Sequence, residues 1–352
     1  MSSRPRQAAL AKVVSRVAVF LFLLWWLATQ SGSCFSSVQP LHLQGRTMGT
    51  WWHVTVAEPD QGVDYQTIIQ DALDQVDNRM STYKADSELS RFNRADVGTY
   101  RDFSPSSLEV IRNAIALAEQ TEGAFDPTIL PLIELWGFGA KEGESSPTAQ
   151  QIADRKEQVG WQYLRMDESD GVVKMLPNLQ LDLSATAKGF GVDQVTEALN
   201  MAGSFDFLVE VGGELRSQGF KANGVEWVVG IDRPVLDISG ERSLQQVIQV
   251  GDWAVATSGD YRNYREIDGK RVSHLVDPRT GYPTTHNLAS ATIVAKDCIT
   301  ADGLATAVSI LGAEQGMQLL SELPEVHGFL ILRNDGKFQM LETPDFAQFK
   351  PE

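Results

Sequence analysis

From Asp64 onward the apolar positions Ile68, Ile69, Ala72, Leu73, Val76 and Met80 recur at the three-and-four spacing of a helix, and this period predicts an amphipathic helix. A second helix is predicted to open with Ser104 as N-cap and Pro105 at its first position, to run to Ala118 and to stop at Gly123. A third helix-forming stretch runs from about Gly189 to Met201 and ends at Gly203, and the apolar stretch ADGLATA at 301–307 also reads as helix. Elsewhere the pattern is that of strands. WWHVTVA, bounded by Gly49 and Pro59, and then FDFLVEV, WVVGID, LQQVIQV, WAVATS and ASATIVA are short β-rich runs. GFLILRNDGKFQML predicts a hairpin with Asn334, Asp335 and Gly336 at its turn. Helices and strands come in clusters and do not alternate regularly, which predicts an α+β fold with largely antiparallel sheet. Residues 140–150 are polar and read as a loop or insertion, and no internal repeat is visible.

The N-terminus changes the picture. Between Met1 and Ser33 stand Arg4, Arg6, Lys12 and Arg16 with no acid, ahead of and leading into the apolar run VAVFLFLLWWLA at 17–28. A basic region followed by an apolar run too short for a comfortable span is the pattern of an export signal; an anchor that is not cleaved, with its two tryptophans at the interface, is the alternative. Cys34 follows Ser31, Gly32 and Ser33, small residues of the kind bacterial lipoprotein processing uses, although Ser31 stands where leucine is usual. The segment 1–33 is therefore read as a signal peptide, Cys34 as a candidate lipidation site and 34–44 as a short tether. On either reading the bulk of the chain is expected to be exported.

At 352 residues, 43% hydrophobic and 22% charged, the chain can hold one large domain or two closely joined ones, and disorder is excluded. The formal charge is −16, and losing Arg4, Arg6, Lys12 and Arg16 with the signal leaves −20. Such a surface disfavours nucleic acid; a small anion would need a local metal, lysine or backbone amides. With Cys34 and Cys298 the only cysteines, a disulfide framework is excluded.

Several segments carry candidate chemistry. Asp302 and Thr306 sit four apart on ADGLATA and so share a helix face, half of a site for a hard cation such as Mg²⁺. The preceding β-branched run places them at a strand-to-helix junction, where helix capping is the plainer role. LDLSATAKGFGVDQV, at 181–195, delivers Asp182, Ser184, Thr186 and Lys188 into a helix start. This suits an anion cradle, or a helix capped by Ser184 or Thr186 with a solvated Lys188. It lacks the order of a nucleotide P-loop. GAFDPTILPLIELWGFG, at 123–139, sets Phe125, Trp136 and Phe138 around Asp126–Pro127, a wall for a flat ring or simply core. Gly212 and Gly213 allow close backbone approach or a turn. His274, just upstream of the predicted DPRTG turn, is a candidate general base or a turn-stabilising side chain. No GxSxG, CxxC or HExxH is present, which removes hydrolase-triad and zinc readings.

Taken together and in order, RTMGTWW, MSTYKADSELSRFN, GAFDPTILPLIELWGFG, DLSATAKGFGVD, EVGGELRSQG, ATSGDYRNY, HLVDPRTGYP and ADGLATA resemble the ApbE family, the FAD:protein FMN transferases. The resemblance spans about residues 45–345 and implies a single composite catalytic domain. It implies a periplasmic enzyme, attached to the inner membrane as a lipoprotein and dependent on Mg²⁺, that splits FAD and attaches FMN through its phosphate to a threonine or serine hydroxyl of a target protein, releasing AMP. Family FAD contacts fall on Met48, Tyr83, Ala124, Phe125, Asp126, Asp182, Lys188 and the backbone of Val276. The family metal site falls on the Ala185 carbonyl with Asp302 and Thr306. Some relatives carry a second carboxylate where this chain has Ala305, so the remaining ligands would be phosphate oxygens and water. His274 is the candidate base. The partners implied are FAD and a flavin-accepting redox protein or membrane redox subunit. Two other readings stand beside this one: a pyrophosphatase that gives FMN and AMP with water as the acceptor, and a non-catalytic FAD-binding lipoprotein.

Overall fold

The computed structural model describes residues 39–139, 146–235, 243–261, 264–267 and 270–351. The signal, Cys34, the first part of the tether and most of the polar loop at 140–150 lie outside them. The frame is one eight-stranded sheet: β1 (Leu41–Thr47), β2 (Thr50–Val56), β3 (Phe207–Val211), β4 (Glu214–Gln218), β5 (Ala254–Gly259), β6 (Leu288–Ala295), β7 (His327–Asn334) and β8 (Lys337–Glu342). Their order in the sheet is their order in the chain, and every neighbouring pair is antiparallel. The α+β expectation is met.

Three hairpin turns close at one end of the sheet: Met48–Gly49, Gly212–Gly213 and Asp335–Gly336, each with both residues at positive φ. Two-residue turns of this hand match the twist of the strands they join. Asparagine, aspartate and glycine accept the conformation readily; a methionine at φ 45° does not, so Met48 is held there by its surroundings.

The helices predicted from Asp64 and Ser104 are α1 (Tyr65–Met80) and α2 (Pro105–Gln120), capped by the Asp64 and Ser104 side chains at the amides of Thr67 and Ser107. The third, α3 (Ser184–Met201), opens ahead of the predicted start at Gly189. Neither Ser184 nor Thr186 caps it: the cap position is Leu183, and Asp182 Oδ1 accepts from the Ser184 amide at 2.8 Å. Gly189 and Gly191 weaken the local preference for helix, but packing overrides it. A Cβ at 189 would overlap the Cys298 carbonyl oxygen and approach Asp302 Cβ to 2.8 Å, and one at 191 would come within 3.0 Å of Met48 Cε.

The last of the four, α4 (Cys298–Leu311), lies against α3 and is capped by Asp297, whose carboxylate accepts from the Thr300 amide. Asp302 and Thr306 therefore sit inside the helix and not at the strand-to-helix junction, and neither caps it. Asp193 on α3 adds a second carboxylate at the start of α4, accepting from the Cys298 and Ile299 amides and from Arg216.

The sheet is covered on both faces, which explains why every residue of β6 is buried. Ile69 and Leu73 of α1 and Val192, Val195 and Leu199 of α3 pack on Trp52, Val54, Phe207 and Val209. On the other face Trp227, Ile248, Phe346 and Phe349 pack on Val255, Val294, Phe329 and Ile331. Among the described residues no helix is long and apolar enough to cross a membrane, and Cys298 is a free, buried thiol.

Candidate active site

The packing of α3 against α4 brings Ala185, Lys188, Asp302 and Thr306 into one neighbourhood. Asp302, buried on α4, accepts from the Gly189 amide at Oδ2 (2.9 Å), while its Oδ1 lies 3.6 Å from Lys188 Nζ. In a regular helix the amide at 189 serves the carbonyl at 185, so Asp302 competes with the Ala185 carbonyl for that donor. The second carboxylate facing Lys188, at 3.6 Å, belongs to Glu214, the first residue of β4 and buried beside the Gly212–Gly213 turn. Thr306 Oγ1 is 3.2 Å from Ser258 Oγ on β5.

One ammonium thus faces two buried carboxylates. Burial pushes Lys188 down, but Asp302 and Glu214 outweigh it and hold the ammonium above the ordinary lysine range. Burial likewise pushes the Asp302 carboxyl up, against the opposing pull of Lys188 and the Gly189 amide. The Lys188 direction follows from the carboxylates beside it and the Asp302 direction from its enclosure. Lys188 is not the solvated lysine of the plainer reading; its side chain is 28% exposed and stands between the carboxylates.

The loop at 123–128 joins this neighbourhood through Asp182, whose amide donates to the Pro127 carbonyl at 2.8 Å. Ala124 and Phe125 are buried there. The Asp126 carboxylate accepts from the Thr128 amide and hydroxyl and from the Trp161 amide, so its side chain fastens the loop; burial pushes its carboxyl up and these bonds pull it back. The same segment continues into an aromatic wall that is itself largely core, with Phe125 and Trp136 buried and Phe138 partly so: Trp136 packs with Val276 and donates to the Gly281 carbonyl, and Phe138 meets the half-buried His274 ring edge-on at 6.3 Å. The turn at Asp277–Gly281 closes as predicted, the Gly281 amide donating to the Asp277 carbonyl. Met48 reaches Gly191 on α3 from the β1–β2 turn. Tyr83 is 71% exposed.

Sequence reasoning missed Glu214 and Ser258. A glutamate opening a strand directly behind two glycines was the available signal for the first; Ser258 carries none.

Among the described residues no group of three or more His, Cys, Asp or Glu side chains could hold a metal ion. The donors that could do so are one carboxylate (Asp302), one hydroxyl (Thr306) and one main-chain carbonyl (Ala185). All are hard oxygens, a set that fits Mg²⁺ keeping waters and phosphate oxygens and does not fit zinc.

A model of the ApbE family matches residues 48–330 of the sequence. The chain belongs to the ApbE family. The FAD:protein FMN transferase of Vibrio cholerae is 39% identical over 92% of this chain and 98% of its own length, and that of Escherichia coli K12 is 34% identical over 87% and 88%. Among solved structures, the flavin transferase ApbE from Vibrio cholerae superposes with a TM-score of 0.80 at 37% identity, covering 88% of this chain and 99% of the other. The apo flavinyl transferase ApbE of Pseudomonas stutzeri gives 0.78 at 34% identity, covering 88% and 96%. The residues that the family model matches include the 123–139 segment and the whole of α3 and α4.

Proposed function

We propose that this ApbE protein transfers FMN from FAD to a threonine or serine hydroxyl of a target protein, with release of AMP. The observation that carries the reading is the ammonium of Lys188 enclosed with Asp302 and Glu214 beside Thr306, in a chain whose relatives bear that activity in their names. FAD is the substrate, its flavin ring taken by the wall at 123–139 with Met48 and Tyr83, and its pyrophosphate by Lys188 and the start of α3. Asp302, Thr306 and the Ala185 carbonyl would hold Mg²⁺, which when bound neutralises charge on the pyrophosphate.

The acceptor hydroxyl oxygen forms a bond to the flavin-side phosphorus, and the bond from that phosphorus to the bridging oxygen breaks, so that AMP leaves with both bonding electrons. His274 is the group proposed to take the hydroxyl proton. Lys188 keeps its proton throughout and offers a fixed positive charge to the phosphate oxygens as negative charge builds. Burial of Asp302 and the aromatic wall limit water, the competing acceptor. The acceptor is proposed to be a flavin-carrying redox protein or membrane redox subunit, met in the periplasm by an enzyme held to the inner membrane through its N-terminal segment.

The test is mass spectrometry of an acceptor domain with a threonine-containing flavinylation motif after incubation with this protein, FAD and Mg²⁺. The expected outcome is a mass gain equal to FMN less water, release of AMP, and loss of both in Asp302→Ala. AMP and free FMN without acceptor labelling, where another transferase labels the same acceptor, would replace transfer by hydrolysis; retained FAD without AMP would leave a binding protein.

A further inference from the structure

The end of the fold opposite the hairpin turns exposes apolar side chains that no part of the proposed reaction uses. Met201 ends α3 with 78% of its surface exposed, Phe205 follows at 57% and Phe220 stands at 51%. They are held together by polar contacts beneath them. The Asn200 and Gln218 side-chain amides bond each other reciprocally, and Asp206 Oδ1 accepts from the Phe220 amide at 2.7 Å. A helix end, the start of β3 and the segment after β4 are thereby fixed to one another, and this end of the fold carries three bulky exposed apolar groups.

The chain enters the fold at this same end. Leu41 pairs with Val56, Val56 with Phe207, and the Ala57 amide donates to the Asp206 carbonyl at 2.8 Å. The step from Cys34 to Leu41 is short, a reach of at most about 25 Å. We propose that Met201, Phe205 and Phe220 rest in the interface of the bilayer to which the N-terminal segment holds the chain; the inference rests on that anchoring and not on the chemistry of the site.

The exposed acids Glu58, Asp60 and Glu226 flank the patch, so attraction is apolar and not ionic. Lys188 lies in the first turns of α3 and Met201 at its last position, which sets the reactive end about 20 Å further from the lipid. An acceptor is then met on the side facing away from the enzyme's own membrane, within reach of soluble domains.

The full chain, reconstituted into phosphatidylcholine vesicles, is recovered by flotation and exposed to hydroxyl radicals, and oxidation of Met201 and Met340 is read in the same molecules. By exposure alone, 78% against 43%, Met201 oxidises faster. Lipid contact predicts that Met201 oxidises at least about fivefold more slowly than Met340. It also predicts weaker protection in vesicles containing phosphatidylserine, and loss of protection in Phe205→Ser with Phe220→Ser, with flavin transfer to a soluble acceptor unchanged. Met201 oxidising faster than Met340 on floated vesicles would overturn the proposal. So would protection that disappears when the chain is diluted at constant lipid, which assigns the patch to a second copy. A chain that fails to float removes the anchoring itself, an outcome read before any oxidation is measured.

Discussion

Lys188 decides whether the α3–α4 junction is stable, because it is the ammonium that faces both Asp302 and Glu214. Removing one partner of a buried ionic group leaves charge without compensation, which costs far more than the group contributed. Lys188→Met is expected to lower unfolding free energy by about 3 kcal/mol in urea titration, and Lys188→Met with Glu214→Gln to recover a substantial part of it. Full additivity of the two single variants would remove the coupling claimed here. At this scale the sequence was partly legible. The four-residue spacing of Asp302 and Thr306 correctly places them on one helix face, because that periodicity is local. Glu214 was not legible, since its relation to Lys188 depends on the Gly212–Gly213 turn, beyond the far end of α3, folding back beside the helix start. Asp126 is a different case: the family resemblance alone makes it an FAD contact, and what the fold adds is that its carboxylate accepts from Thr128 and Trp161 and fastens the loop.

The element that positions the site is the α3–α4 pair, and its closeness depends on Gly189. Gly189→Ala places a methyl group against the Cys298 carbonyl and Asp302, so the helices must separate. Overpacking of this kind costs about 1–3 kcal/mol. The variant is expected to show a lower urea midpoint and a larger loss of flavin transfer than of stability at working temperature, because Asp302 moves away from the Gly189 amide. A stable variant with unaltered transfer would show that the junction yields. Strands and the long amphipathic helices were readable because period and turn chemistry are carried by neighbouring residues. The start of α3 was not: the stretch reads as helix only from about Gly189, whereas the helix opens at Ser184, and the reason a glycine stands at 189 lies on α4, remote in the chain.

At the scale of the whole molecule, His327 opens β7 within a cage of Trp253 and Phe349, joining the sheet to the C-terminal turn at Pro344–Phe349. Burial pushes its imidazole below the ordinary histidine value, with Lys296 adding to this and Asp345 and Glu325 opposing it. The unfolded chain therefore binds the proton more readily. The contribution to stability is present above about pH 6.5 and is lost as pH falls through the lower folded value. Urea midpoints at pH 7 and pH 5 should differ less in His327→Phe than in the unaltered chain; an equal difference would place the acid sensitivity elsewhere. The serial order of the strands has a mechanical consequence as well. β1 is an edge strand bonded on one side only, and the chain reaches it at the end where Leu41 faces Val56. Tension drawn through the N-terminus is therefore borne first by the single β1–β2 ladder, so β1 is the first strand to leave the sheet, while the strands that frame Lys188 remain closed.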